Sequence, residues 1–137
     1  MIAAAKPPSG FEPILSNSPF GWENGPIFER IVAGNKERGL RIAERHINAG
    51  GACHGGMIMT FADILLATAV FDIVSPPFVT VRMTTDFIGP AFKGEWLVGA
   101  AQAKLAGEGM VAVRGDMRVD ERVVAVASGL FKAVRNR

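Results

Sequence analysis

The longest apolar stretch in this 137-residue chain covers residues 55–74, GGMIMTFADILLATAVFDIV. It is too long for an ordinary strand, and the Gly-Gly entry and the Pro76-Pro77 exit indicate a helix. The stretch is nearly long enough to span a membrane. However, Asp63 near its centre would cost roughly 2.5–3.5 kcal/mol on insertion scales, and no polybasic flank marks an orientation. We therefore predict a helix buried on most sides within a soluble protein.

Strand patterns precede and follow this helix. Two extended segments are predicted over residues 27–33 and 40–47, joined by a turn at 34–39, and four more over 78–87, 96–105, 111–119 and 123–134. One sheet around one apolar helix is the economical way to bury both. The predicted fold class is therefore α+β, with an antiparallel sheet of five to six strands wrapped around one long central helix.

The first 26 residues differ in composition from the rest. They hold five of the eight prolines, which predicts an irregular N-terminal lead-in over residues 1–26 and a single folded domain over 27–137. Phe11, Phe20 and Trp22 are expected to anchor the lead-in to the body. The chain has room for only one core, and its positive mean hydropathy suggests that a partner subunit covers some apolar surface.

Charge and cysteine content exclude several classes of protein. The net charge of +2 and the absence of a long basic run argue against a nucleic-acid-binding protein. One cysteine cannot form an internal disulfide, and the N-terminus lacks the apolar run of a signal peptide. We expect a cytoplasmic protein that binds neither nucleic acid nor membrane.

Residues 46–63, HINAGGACHGGMIMTFAD, carry the most specific pattern in the chain. The pattern is close to H-x-N-x-x-G-x-x-H-G-G followed by a helical Asp, and seven residues match it: His46, Asn48, Gly51, His54, Gly55, Gly56 and Asp63. The segment resembles the signature of the PaaI-like acyl-CoA thioesterases of the hot-dog superfamily. The resemblance extends from about the first strand to the end, including TTDFIGPAFKGEWL after the helix.

The resemblance implies a hot-dog fold and hydrolysis of an acyl-CoA thioester to a carboxylic acid and CoA. It assigns the Gly55 N–H and the Asn48 amide to polarising the carbonyl, while His54 orients the loop. Asp63 would activate water or attack the thioester directly, and Thr80 would help to hold the water. Coenzyme A enters only as part of the substrate, and no metal or other cofactor is implied.

The physical chemistry of these residues agrees with that assignment. Thioester hydrolysis needs donors for a developing oxyanion and a base or nucleophile on the other side of the carbonyl. Gly55 lies at the predicted helix start, where backbone N–H groups lack partners and the helix dipole favours negative charge. Asp63 is the one ionisable group between Gly55 and Phe71, and desolvation there would raise its pKa towards the range of a general base.

The spacing of Gly55 and Asp63 predicts a dimer. Eight residues of helix separate the two by roughly 12 Å along the axis, although both must lie within about 3 Å of the reacting atoms. A second, antiparallel copy would place Asp63 of one subunit opposite Gly55 of the other. The expected partners are thus an acyl-CoA and further copies of this chain, as a homodimer with shared active sites or a homotetramer formed from two such dimers.

Predicted substrate contacts come from Gly56, Arg82 and Phe61. Phe61, Leu65, Phe87 and Ile88 could line a pocket for either an aromatic ring or an alkyl chain. Cations on the later strands could meet the CoA phosphates, but the hairpin at residues 107–109 carries Glu108 where many relatives have Arg or Lys.

Several alternatives remain open at this point. Asp63 could be a structural carboxylate hydrogen-bonded to a threonine or to the backbone, and Asn48 could simply shape a turn. Cys53 could act as a thiol nucleophile at the helix N-terminus, although no third orienting group is evident. A non-catalytic acyl-CoA-binding or regulatory hot-dog module is the main alternative function. A hot-dog hydratase is a weaker one, because its Asp/His motif is not found.

Overall fold

The computed structural model describes residues 6–16 and 18–134. Its elements in chain order are β1 (Glu12–Pro13), α1 (Pro19–Asn24), β2 (Phe28–Val32), β3 (Asn35–Arg41), a 3₁₀ turn (Glu44–His46), α2 (Gly55–Val70), β4 (Phe78–Phe87), β5 (Trp96–Gly107), β6 (Met110–Val119) and β7 (Arg122–Ala133). Within these residues, no helix is long and apolar enough to cross a membrane.

All strands pair in one antiparallel sheet of seven, in the order β1-β2-β3-β5-β6-β7-β4. The sheet curves around α2, so the predicted hot-dog architecture is confirmed. The predicted five to six strands become seven because residues 12–13 add a short edge strand. The last four strands are expected to form a meander in chain order, but only β5, β6 and β7 do so. Instead, β4 pairs with β7 and forms the opposite edge of the sheet.

Two boundaries differ from the sequence-based prediction for local reasons. The turn predicted over residues 34–39 is much tighter, because Ala33 and Gly34 both have positive φ angles, 51° and 81°, and Asn35 already starts β3. Positive φ at two successive positions is the geometry of a two-residue hairpin. As a result β3 ends at Arg41, and His46 lies in a 3₁₀ turn rather than in a strand.

Helix α2 packs closely on the sheet because the sheet presents glycines beneath it. A Cβ at Gly99 would lie 2.6 Å from Leu65 Cδ2 and 2.7 Å from the Asp116 carbonyl oxygen. Leu66 sits in the same way over the positions of Gly115 and Gly129, at 3.3 and 3.2 Å. A side chain at any of these positions would require its neighbours to shift, so the glycines set how deeply the helix sits in the sheet.

A smaller apolar cluster fastens part of the lead-in. Phe11 and Phe28 are buried with Val98, and Trp96 packs edge-on against Phe11 with ring centroids 5.0 Å apart. The anchoring role predicted for Phe11 is therefore confirmed. The same prediction is wrong for Phe20, which is 61% exposed.

The glycine at position 99 gives a direct test of this packing. We expect Gly99→Ala to lower the free energy of unfolding by about 1–3 kcal/mol, because the added methyl group overlaps both the helix and a neighbouring strand. Gly107→Ala is the matched control, since its Cβ would meet only Met110 at 3.9 Å, and it should change stability by less than about 0.5 kcal/mol. Urea denaturation measures both. Equal stability of the two variants would contradict the packing argument.

Candidate active site

The signature segment forms a closed loop between the 3₁₀ turn and α2. The His54 N–H donates to the His46 carbonyl at 2.8 Å, and the Cys53 N–H donates to the Ala91 carbonyl at 2.7 Å. Isolated bridges pair Ile47 with Cys53 and Ala52 with Phe92. The loop therefore has fixed ends, and it delivers the chain to the first residue of α2.

His46 is a buried positioning residue within this loop. Its Nδ1 accepts the Ala43 N–H at 2.9 Å, and its Nε2 lies 2.7 Å from the Asn24 carbonyl oxygen. These partners require a neutral ring protonated on Nε2. Burial lowers the pKa of His46, against the opposing effect of the bond to Asn24, and the nearby Arg45 lowers it further.

Asn48 uses one end of its side chain for the turn. Its Oδ1 accepts the Gly50 N–H at 2.9 Å and the Ala52 N–H at 3.2 Å. The Nδ2 group has no acceptor among the residues that the structure describes. Turn formation and carbonyl polarisation are therefore compatible, because they use opposite ends of the amide.

The N-terminus of α2 presents a free backbone donor. His54 caps the helix, with its Nδ1 accepting the Gly56 N–H at 2.8 Å, and its carbonyl accepts the N–H groups of Met57 and Ile58. The Gly55 N–H has no acceptor within residues 6–16 and 18–134. A Cβ on Gly55 would lie 3.6 Å from the Phe87 ring, so an aromatic side chain lies beside this residue.

Asp63 lies eight residues further along α2 and meets β4. The Thr80 hydroxyl donates to Asp63 Oδ1 at 2.7 Å. The Asp63 side chain is half-buried in the single chain, so the strong desolvation expected from the sequence would require a further surface over it. The fold thus brings Asp63 and Thr80 into contact, although they are 17 residues apart in sequence.

A bulge in β4 separates Thr80 from Arg82. Thr80 pairs with Phe131 and Arg82 with Leu130, so Val81 is an extra residue in the strand. Because side chains alternate along a strand, the extra residue turns Arg82 to the sheet face opposite α2, where it lies near Lys104 and Arg114. The structure therefore does not bring Arg82 together with Asp63.

Asp63 opens onto a groove of about 380 Å³ between α1 and the outer face of α2. Of the predicted substrate-contacting residues, Gly56 lines this groove, whereas Phe61 has no exposed surface and packs in the core. The α1 wall of the groove was not predicted from the sequence. The helix-start pair Ser18-Pro19 and the nearby aromatics Phe20 and Trp22 were the available signal.

Cys53 is buried beneath the loop, and burial raises the pKa of its thiol to about 11. A thiol with that pKa carries almost no thiolate near neutral pH, and thiolate is the nucleophilic form. The geometry therefore gives no support to a cysteine nucleophile.

Comparisons with known proteins agree on one family. The model of the thioesterase superfamily matches residues 50–126, which is more than half of the chain. A Pseudomonas aeruginosa protein named "Putative esterase PA0474" is 39% identical over 127 residues, covering 90% of this chain and 95% of that protein. This chain therefore belongs to the thioesterase superfamily, whose general chemistry is thioester hydrolysis.

Solved structures show the same fold. One is a Ralstonia eutropha protein described as a thioesterase related to phenylacetic acid degradation, with a TM-score of 0.75 and 24% identity, over 86% of this chain and 92% of that one. Another is the Bacillus halodurans protein BH2602, solved with CoA, with a TM-score of 0.72 and 24% identity, over 80% and 74% of the two chains. At these identities the likeness establishes the fold alone.

The helix cap at His54 predicts a stability effect. Removing the capping side chain in His54→Ala should cost about 0.5–2 kcal/mol of unfolding free energy, because the Gly56 N–H loses its partner. His54→Asn should restore most of the loss, since Asn is a strong capping residue. Thermal and urea unfolding of the three proteins measure this. Equal losses in both variants would contradict the capping role.

His46 predicts a pH dependence of stability. Its pKa in the folded chain lies below the ordinary value of 6.5, so the unfolded chain binds more protons as the pH falls below that value. The contribution of His46 to stability is therefore complete above pH 6.5 and is lost as the pH falls towards the folded pKa, by at most about 1.4 kcal/mol per pH unit.

The measurement compares urea-derived unfolding free energies of wild type and His46→Gln from pH 7.5 down to pH 5. The difference between the two proteins should shrink at the acidic end, because Gln does not titrate. A constant difference across this range would contradict the assignment of a neutral His46.

Proposed function

We propose that this protein hydrolyses acyl-CoA thioesters to a carboxylic acid and CoA, with Asp63 as the base or nucleophile. The observation that carries the proposal is the 2.7 Å hydrogen bond from Thr80 to Asp63 at the mouth of the groove. It occupies one carboxylate oxygen and leaves Asp63 Oδ2 available to the reaction. The structural likeness to a thioesterase-fold protein solved with CoA supports CoA as the thiol part of the substrate.

The donors for the developing oxyanion are the Gly55 N–H and the Asn48 amide. Both lack acceptors within the described chain, and preorganised donors of this kind stabilise the charge that forms on the carbonyl oxygen. Helix α2 adds its positive N-terminal dipole end. In one route, the water held by Thr80 attacks the carbonyl while Asp63 takes its proton, the C–S bond breaks, and the leaving thiolate of CoA takes up that proton. In the other, Asp63 attacks the carbonyl, the C–S bond breaks to release CoA as a thiolate that is protonated from water, and a second water hydrolyses the resulting anhydride to the carboxylic acid and free Asp63.

A dimer would assemble these parts into one site. Gly55 and Asp63 lie on the same helix, Gly55–Val70, and are therefore about 12 Å apart along its axis. One thioester carbonyl cannot contact both groups of a single chain. We propose that Asp63 and Thr80 of one protomer face Gly55 and Asn48 of its partner. The free edge of β4 carries two exposed apolar side chains, Val79 and Val81, which suits that contact.

Substitution of Asp63 tests the reaction. Asp63→Asn should lower kcat/KM by about 10²–10⁴-fold, because Asn neither accepts the proton nor attacks. Thr80→Val should lower it by about tenfold to a hundredfold, the value of a hydrogen bond to a charged group. Thr84→Val is the matched control. Thr84 lies on the same strand but next to Arg82, on the sheet face opposite α2, away from Asp63.

Thiol release from acyl-CoAs is the readout, and it separates hydrolysis from simple binding. If the wild type binds acyl-CoA without releasing thiol, the proposed hydrolytic function is wrong and the protein is an acyl-CoA-binding module. Full activity in Asp63→Asn would overturn the role of Asp63 alone.

A mixing experiment tests the shared site. Gly55→Pro removes the N–H donor at the first helical position, where proline is well tolerated, and the ψ of 136° at His54 is compatible with a following proline. Gly55→Ala keeps the donor and serves as control. Gly55→Pro and Asp63→Asn should each be inactive alone.

Co-refolding equal amounts of these two variants forms mixed dimers with one intact site each. A twofold-symmetric dimer should regain roughly a quarter of the wild-type activity. No recovery, with mixed dimers shown by differently tagged chains, would locate both groups of a site in the same chain and contradict the dimer proposal.

A further inference from the structure

Helix α1 displays aromatic side chains where a structural helix would bury them. None of its residues is buried, and Phe20 and Trp22 are 61% and 44% exposed. On the facing side of the groove, Met59 of α2 is 39% exposed. Large apolar side chains that are exposed on both walls of one groove indicate a surface that contacts an apolar ligand.

Polar contacts hold α1 in place instead of apolar burial. Arg45 donates to the carbonyls of Glu23 and Gly25, and the His46 ring bonds the Asn24 carbonyl. The Trp22 indole N–H donates to the Ser16 carbonyl at 2.7 Å. These bonds fasten the end of α1 to the segment that leads into the candidate active-site loop, so the aromatic wall has a fixed position relative to Asp63.

The groove continues into a small apolar pocket. The groove that contains Asp63 is lined by Phe20 and Met59, and the pocket, of about 70 Å³, is lined by Ile14, Trp22 and Ile27. The two share Ser18, Gly21 and Ile64 on their walls. The groove at the carboxylate and the pocket beside Trp22 therefore adjoin, with Phe20 on the groove side and Ile14, Trp22 and Ile27 on the pocket side.

We infer that the groove and the pocket together form an acyl path, which binds the acyl chain of the substrate and selects unbranched alkyl chains over aromatic groups. The inference rests on the thioester hydrolysis proposed above. A cavity of about 150 Å³ accommodates a benzene ring, and the end pocket, at about 70 Å³, has less than half of that volume. A linear chain whose carbonyl lies at Asp63 can enter it, whereas a ring must stop in the open groove. Phe20, Gly21 and Met59 are the specificity-determining residues.

Gly21 offers a steric test, because it lies where groove and pocket meet. A Cβ there would be 3.5 Å from the Ser18 side chain, an ordinary contact, so a larger residue fits the helix. We expect Gly21→Leu to reduce the ratio of kcat/KM for octanoyl-CoA to that for acetyl-CoA at least tenfold by filling the junction. Phe20→Ala should reduce the same ratio several-fold by removing one wall. Leu15→Ala is the control, since Leu15 is 97% exposed on the same segment.

The substrate panel is acetyl-, butanoyl-, octanoyl- and phenylacetyl-CoA, measured by thiol release, with the melting temperature of each variant as a check on folding. Wild type should favour octanoyl-CoA over both acetyl- and phenylacetyl-CoA by at least tenfold. No release from any of the four substrates would overturn the proposed function. The acyl path would be overturned, and hydrolysis left intact, by an active wild type that prefers phenylacetyl-CoA. The same conclusion would follow if folded Gly21→Leu and Phe20→Ala variants changed kcat/KM by the same factor for all four substrates.

Discussion

The contact between α2 and the glycines beneath it determines the position of every candidate site residue. Leu65 and Leu66 rest over Gly99, Gly115 and Gly129, at distances that exclude even a methyl group without movement. A rigid helix seated at this depth holds its N-terminal donor at one level and Asp63 about two turns further along. The same seating brings Asp63 within 2.7 Å of Thr80 on the edge strand. Packing in the core thus sets the geometry of groups that are not in the core.

The sequence predicted the elements whose signals are local. The start of α2 follows from the Gly-Gly entry at residues 55 and 56, and the bounds of β4 follow from its β-branched run between prolines and glycine. Helix α1 was not predicted, although Ser18 and Pro19 form a local helix-start signal, because its six residues are few for a helix. Its C-terminal end depends on bonds from Arg45 and His46, about twenty residues further along the chain. Such contacts have no signature in a local window.

The candidate site was predictable to a similar extent. Two pairs of groups match the family pattern in their sequence positions: Thr80 with Asp63, and His54 with the start of α2. The structure places each pair in contact. Phe61 fails as a groove residue because it precedes Asp63 by two helical positions, a rotation of about 200°. When Asp63 faces the groove, Phe61 must face the sheet. The free donor at Gly55 was expected from helix chemistry and that of Asn48 from the family resemblance, and the described residues offer neither group an acceptor.

The extra residue at Val81 gives one strand two different roles. Before the bulge, the Thr80 side chain faces α2 and contacts Asp63. After the bulge, Arg82 lies on the outer face of the sheet, and Met83 packs against the core. In a regular strand, side chains two positions apart lie on the same face. Without the extra residue, Arg82 would therefore lie on the same face as Thr80, close to the Asp63 carboxylate. The bulge therefore keeps the positive charge of Arg82 away from Asp63, the residue proposed above as base or nucleophile, at the cost of one residue in the ladder.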